Sequence, residues 1–307
     1  MNTNKRPLII IAGPTAVGKT AFSILLSEEI GGEIISADSM QIYRGMDIGS
    51  AKATIEERAA VPHHLIDVMD PTEEFNIVLF QKLAKEAMEG IYSRGHIPVI
   101  VGGTGFYVQS VLYDIEFAEN GPDRTYRESL YERAKTEGAE ALHRELAGID
   151  PESARLIPEN NVKRVARALE FYHETGMPIS AHNAGERAKK SPYDFRFFVL
   201  TMDRRRLYER IEERVDRMMD AGFLEEVKRL RDRGCKREMT SMQGLGYKQL
   251  FAHLEGECTL EEAVAKTKIE TRHFAKRQLT WFRREPDAIW IDVEKEDPLD
   301  VYKTRHL

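Results

Sequence analysis

Cysteine is nearly absent from this 307-residue chain: there are two, Cys235 and Cys258, far apart and outside any C-x-x-C pattern. That excludes a disulfide framework and a structural zinc site, and leaves buried or incidental thiols. No apolar run is long enough to cross a bilayer, and the N-terminal "MNTNKRPLIIIAGPT" carries no secretory cleavage pattern. A cytoplasmic protein with no membrane partner is expected. Positive charge is not in excess either. At a net charge of −6, the molecule as a whole is no nucleic-acid sponge, and any such binding must come from local basic patches. Internal repeats and low-complexity tracts are also missing. What remains is 42% hydrophobic and 31% charged, a balance that supports one large buried core or two.

The first hundred residues alternate short apolar runs with helical patterns. "LIIIAG" (8–13), "EIISAD" (33–38) and "IPVIVGG" (97–103) read as strands. "TAFSILLSEEI" (20–30) and "NIVLFQKLAKEAMEGIYSRG" (76–95), the latter closed by Gly95, read as helices. Such alternation implies a parallel sheet covered by helices. Strong turn chemistry at Asn120-Gly121-Pro122-Asp123 then breaks the pattern. From there to about residue 187 the chain is helical, rich in Arg, Glu and Lys, and shows no convincing strand. "DFRFFVLTMD" (194–203) restores a strand, a charged helical region follows (204–283), and "AIWIDV" (288–293) is a late strand. The expected organisation is α/β: residues 1–119 begin the core, 120–187 form a helical insertion, and 188–307 complete the core and add a C-terminal helical region.

"GPTAVGKT" (13–20) satisfies G-x-x-x-x-G-K-[ST] and lies between a predicted strand and a predicted helix. Its glycines let backbone amides turn onto an anion, and the helix N-terminus adds favourable partial charge. Lys19 supplies a positive charge and the Thr20 hydroxyl a magnesium ligand. The loop does not name the reaction, since it can hold a phosphoryl donor or a pyrophosphate that leaves. A Walker-B pattern is offered only weakly by "HHLIDV" (63–68), and no guanine-reading motif is present. Asp38 ends a strand on the edge where open α/β sheets bind ligands, yet it is equally a cap or turn aspartate beside Ser39. Thr104, in "GGTGFY" (102–107), projects from the same edge or simply sits in a turn. Adjacent His63 and His64 rarely converge on one metal, so a structural role is expected.

Two basic stretches stand out. "NVKRVARALEFY" (161–172) gathers Lys163, Arg164 and Arg167 on one helix. "TRHFAKRQLTWFRRE" (271–285) carries Arg272, Lys276, Arg277, Arg283 and Arg284 between Phe274, Trp281 and Phe282. Such residues contact phosphates and stack bases, or form a solvated, salt-bridged face over a core. Two patches in an acidic chain make local nucleic-acid contact reasonable.

Together, "GPTAVGKT", "SADSMQIYRGMDIGSAK", "VPHHLID", "IPVIVGGTGFY", "RALEFYHETG", "SMQGLGYKQL" and "TRHFAKRQLTWFRR" resemble the bacterial tRNA dimethylallyltransferase family, in family order from residue 8 to about 284. The resemblance implies a phosphate-loop, kinase-like core with a helical insertion. It implies transfer of a dimethylallyl group from dimethylallyl diphosphate to N6 of the adenosine 3′ of the anticodon, with Mg2+ and release of pyrophosphate. Carried over, Gly13, Pro14, Thr15, Ala16, Val17, Gly18, Lys19 and Thr20 grip the diphosphate, with Thr20 near magnesium. Asp38 is the general base, Thr104 bonds oxygens of the leaving group, and Arg214 binds the diphosphate, with Arg217 one turn on as the substitute. The anticodon arm of tRNA would meet Asp38, Ser39, Met40, Gln41, Thr104 and Arg127. It would also meet Val162, Lys163, Arg164, Val165, Ala166 and Arg167 of one helix, Met242, Gln243, Gly244, Leu245, Gly246 and Tyr247 of "MQGLGY", and Arg272, Lys276 and Arg277. Asn161 departs from the family by standing where an acidic residue is expected. A monomer is expected. The competing readings are an isopentenyltransferase acting on free AMP, a small-molecule or nucleotide kinase using Asp38 in phosphoryl transfer, and a tRNA-binding module with a relic phosphate loop.

Overall fold

A computed structural model of the chain describes residues 5–117 and 124–305. The Asn120-Gly121-Pro122-Asp123 turn lies outside them. The chain divides into two compact units, one formed by Met1–Leu112 with Pro192–Leu307 and the other by Tyr113–Ser191.

In chain order the first unit runs β1 (Pro7–Ala12), α1 (Lys19–Ile30), β2 (Gly32–Ser36), α2 (Ile55–Ala60), β3 (His63–His64), α3 (Ile77–Ser93), β4 (Ile97–Gly102) and α4 (Gly105–Leu112). The second contributes α5 (Arg124–Thr136), α6 (Ala139–Ile149), α7 (Pro151–Leu156), α8 (Val162–Thr175) and α9 (Ile179–Ala188). The first unit then resumes with β5 (Asp194–Thr201), α10 (Arg204–Asp220), α11 (Phe223–Asp232), α12 (Tyr247–Leu254), α13 (Leu260–Phe282), β6 (Ala288–Asp292) and α14 (Pro298–Arg305).

The six strands form one parallel sheet in the order β3-β2-β4-β1-β5-β6. A parallel sheet is covered on both faces, which is why its strands are continuous apolar runs. Alternate residues Ile9, Ile11, Ile34, Val99, Phe198 and Leu200 pack with Phe22 and Leu26 of α1, Leu207 and Ile211 of α10, Ala275 of α13 and Tyr302 of α14. Their neighbours Leu8, Ile10, Ile35, Ile100, Phe197 and Val199 are buried as well. The sequence reading missed α2, too short to show a period, and offered β3 only weakly, within "HHLIDV" (63–68). His64 Nε2 lies 2.7 Å from the buried Glu33 carboxylate, which also accepts from Arg94 (2.8 and 2.7 Å) and sits 2.7 Å from His96 Nδ1. The Arg94 hydrogen bonds, joined by the two histidines, hold Glu33 down at about 2. His64 is thus structural, as expected of an adjacent pair, while His63 Nδ1 lies 2.7 Å from the Val61 carbonyl oxygen.

The second unit is all helix among the described residues. Its core gathers Leu130, Leu142, Leu146, Ala154, Val165, Ala166 and Leu169. Asn161, the departure from the family pattern, caps α8 by accepting from the Arg164 amide at 3.3 Å, a task asparagine performs as well as aspartate. Val165 and Ala166 are fully buried, so their side chains are core and not contact surface. Helical periodicity turns them inward while Lys163, Arg164 and Arg167 stay exposed. Arg127 is only partly free, since its Nε and Nη2 bond the wholly buried Glu170 at 3.0 and 2.8 Å, with Arg167 adding a third bond at 2.9 Å.

Candidate active site

From β1 the chain crosses to β2 on one side, and from β4, by way of the second unit, to β5 on the other. The carboxyl ends of β1 and β4 therefore flank the point where the winding reverses, the usual place for a ligand in such a sheet. The phosphate loop leaves β1 there, and Thr104 follows β4. Gly13 takes a φ of +143°, and a Cβ on it would lie 2.6 Å from the Leu200 carbonyl oxygen, so only glycine starts this loop. A cavity of about 590 Å³ opens at this edge, lined by Thr15, Ala16, Gly18, Lys19 and Thr20. Lys19 Nζ donates to the Gly13 and Pro14 carbonyls at 3.0 and 2.8 Å, which arches the loop around its own cation. Burial, reinforced by the Arg214 guanidinium, pushes the Lys19 ammonium down to about 8, with Asp38 pulling the other way.

Asp38 stands two residues past the end of β2, beside β4, and lines the same cavity. Its Oδ1 accepts the Met40 amide at 2.9 Å. The turn reading is therefore met, and it leaves the carboxylate with an oxygen to spare. Arg214, on α10, also lines the cavity. Burial lowers its guanidinium, with Asp38 acting in the opposite sense and Arg217 in the same one. Lys19, Arg214 and Asp38 thus share one electrostatic neighbourhood. Two cations and one carboxylate leave a net positive corner that suits an anion.

The segment after Asp38 is braced from beneath. Glu226 of α11, 1% exposed, accepts the amides of Asp47, Ile48 and Gly49 at 2.8, 2.8 and 3.1 Å and the Tyr247 hydroxyl at 2.7 Å. Lys52, also buried, ties Tyr43 O, Asp47 and Asp67 together at 2.8, 2.5 and 2.6 Å. Asp67, the weak Walker-B candidate, is consumed by Lys52 and Arg58 and does not line the cavity. Glu226→Ala would strand four donors at once, so a loss of about 3 kcal/mol or more is expected in urea unfolding. A midpoint equal to the parent's would show that the loop does not depend on this carboxylate.

The cavity wall collects most of the residues singled out from the first unit's sequence: Ser39, Met40, Gln41, Thr104, Arg217, Gln243, Gly244, Leu245 and Arg277 join those above. Gln41 is less free than a base reader would be, since its amide bonds Ser36 Oγ, Ser50 O and Ala51 O at 2.8, 3.4 and 3.3 Å. Val17 and Pro14 are buried in the loop's underside. Met242 and Tyr247 are fully buried and Gly246 is enclosed by Phe223, so these three are supports rather than contact residues. Arg272 is engaged with Glu212 of α10 and the Tyr208 ring, while Lys276 is exposed away from the cavity wall. Of the interleaved aromatics, Phe274 lines the cavity, Phe282 is core, and Trp281 packs on Phe106 and Arg284. The sequence reading missed Arg210, Phe223, Lys248 and Gln278 in the wall, and His63, expected to be structural, also lines it. Among the described residues no three His, Cys, Asp or Glu side chains converge as a metal cluster, and no helix is long and apolar enough to cross a membrane.

A family model described as IPP transferase matches residues 41–285, and one described as isopentenyl transferase matches residues 7–67. The tRNA dimethylallyltransferase of Lachnoclostridium phytofermentans is 57% identical over 93% of this chain and 91% of its own length. That of Bacillus subtilis is 48% identical over 99% and 96%. The crystal structure of the full-length tRNA isopentenylpyrophosphate transferase of Bacillus halodurans is 44% identical, with a TM-score of 0.73 over 98% of this chain and 95% of that one. A eukaryotic dimethylallyltransferase solved acting on tRNA gives a TM-score of 0.81 at 30% identity, covering 97% of this chain and 76% of the other. With a parallel α/β core, a phosphate loop and full-length relatives at this identity, the chain belongs to the tRNA dimethylallyltransferase family.

Proposed function

We propose that this protein transfers a dimethylallyl group from dimethylallyl diphosphate to N6 of the adenosine on the 3′ side of the anticodon in tRNA, releasing pyrophosphate. The observation that carries this reading is the convergence, in one cavity, of a phosphate loop with two cations and a carboxylate just past the end of β2. The acceptor amine is a poor nucleophile because its lone pair is delocalised into the purine. The allylic donor compensates: as C1–O breaks, the electron pair passes to the diphosphate and the remaining carbon is resonance-stabilised. Lys19, Arg214 and the loop amides meet the charge growing on the leaving group, and Thr104 bonds its oxygens from the other lip of the crevice. As N6–C1 forms, the N6 proton passes to Asp38. The walls exclude water from the reactive carbon.

The donor set suits Mg2+, which is held by one or two protein oxygens plus substrate phosphates. Thr20 lines the cavity, and its hydroxyl is such a donor. When bound, the ion would neutralise the diphosphate. The adenosine must leave its stack to enter, at a cost of a few kcal/mol that is smaller in a loop than in a duplex. Contacts of the anticodon arm with Lys163, Arg164 and Arg167, and with Arg277, offset that cost. Such a substrate puts the enzyme in the cytoplasm, and a monomer supplies every group named.

Incubation with magnesium and labelled dimethylallyl diphosphate is expected to label a tRNA bearing adenosine at the target position, and not AMP. Label on AMP alone would replace the substrate assignment, and phosphate transfer from ATP would make the protein a kinase.

A further inference from the structure

Helix α13 carries one polar side chain that the exposed basic row conceals. Gln278 is 5% exposed and reaches both lips of the crevice. Its Oε1 accepts the Thr15 amide of the phosphate loop at 3.0 Å, and its Nε2 donates to the Gly103 carbonyl, one residue before Thr104, at 3.1 Å. A Cβ on Gly103 would lie 1.9 Å from that Nε2, and one on Gly105 would lie 2.1 Å from the Trp281 ring. The helix is therefore pressed onto the 103–105 turn by two residues one turn apart.

We propose that Gln278 is a positioning residue that fixes the separation of the phosphate loop from the Thr104 turn across the switch point, and with it the two-sided grip on the leaving diphosphate. The inference rests on the reaction proposed above. The chemistry of the side chain is what the position demands. One lip presents an N–H and the other a C=O, so a group with an acceptor and a donor on the same carbon satisfies both. Glutamate of the same length offers only acceptors and would leave the Gly103 carbonyl facing a like dipole. Methionine of similar volume offers neither bond. Charge on the diphosphate grows only as C1–O breaks, so a loosened separation costs most in the transition state.

The test compares Gln278→Met and Gln278→Glu with the parent in steady-state kinetics on both substrates, with circular dichroism as the check of folding. A kcat lower by about 10-fold to 100-fold is expected, with KM for tRNA within about twofold. Two variants are used so that one folded protein suffices. A kcat equal to the parent's in either folded variant, even with a lowered Tm, makes Gln278 a packing residue and overturns the proposal. Calorimetric binding of inorganic pyrophosphate separates this failure from that of the reaction itself. If the parent binds pyrophosphate but transfers no prenyl group, the functional reading fails, whereas unchanged pyrophosphate affinity in Gln278→Met sinks the positioning role.

Discussion

Replacing Asp38 with alanine is expected to lower turnover on saturating tRNA by about 10²-fold to 10⁴-fold, the range that a positioned general base contributes, while tRNA affinity changes little. The carboxylate has two tasks that must be separated. One oxygen closes a turn by accepting the Met40 amide, and the carboxylate faces the cavity that holds Lys19 and Arg214. Asp38→Asn keeps an oxygen for the Met40 amide and the shape of the side chain, but it cannot take a proton. Base catalysis therefore predicts that Asp38→Asn is nearly as impaired as Asp38→Ala. If the asparagine variant turns over at the parent rate, the residue serves the turn alone. If tRNA affinity collapses while turnover at saturation survives, Asp38 is a recognition residue and the proton goes elsewhere.

The electrostatics around Asp38 sharpen that expectation. Removing its charge leaves Lys19 and Arg214 facing each other without their shared anion, since Asp38 is the group that favours the charged form of both. At a pH low enough to keep Lys19 protonated, neutralisation should thus also strengthen the pull of this corner on the donor's diphosphate. A lower KM for dimethylallyl diphosphate alongside a lower kcat is the signature of a base that sits beside an anion site.

The sheet and its phosphate loop were legible because their signals are local. A six-residue apolar run ending in Gly13 reads as a buried strand feeding a glycine turn, and β1, β2, β4, β5 and β6 fall within two residues of their predicted bounds. Asp38 was legible as a residue at a strand end, but its choice between turn and catalyst needed the cavity. The errors share a cause. Motif matches carry contiguous residues, whereas helices and turns send only some of them outward, so Val165, Ala166, Met242 and Tyr247 fall in matched contact stretches but are core. Glu226 and Gln278 failed in the opposite way. Each lies in a charged or polar run, "LEEVKRL" and "AKRQLT", where nothing local distinguishes a solvated side chain from one that satisfies buried amides over 170 residues away.

Lys19→Met should cut kcat/KM for dimethylallyl diphosphate by about 10²-fold to 10³-fold, the cost of removing one preorganised group from developing negative charge. Its pH dependence identifies the residue. With the ammonium of the free enzyme held down to about 8 by burial and Arg214, protonated Lys19 is the form that attracts the diphosphate. The kcat/KM of the parent should accordingly fall as pH rises through about 8, because kcat/KM reports ionisations of the free enzyme. Bound diphosphate stabilises the ammonium, so the same limb in kcat is displaced to higher pH. In Lys19→Met the limb should vanish, since Arg214 stays charged throughout this range. A variant that retains the alkaline fall would assign it to another group and leave Lys19 as the strut that its bonds to the Gly13 and Pro14 carbonyls describe.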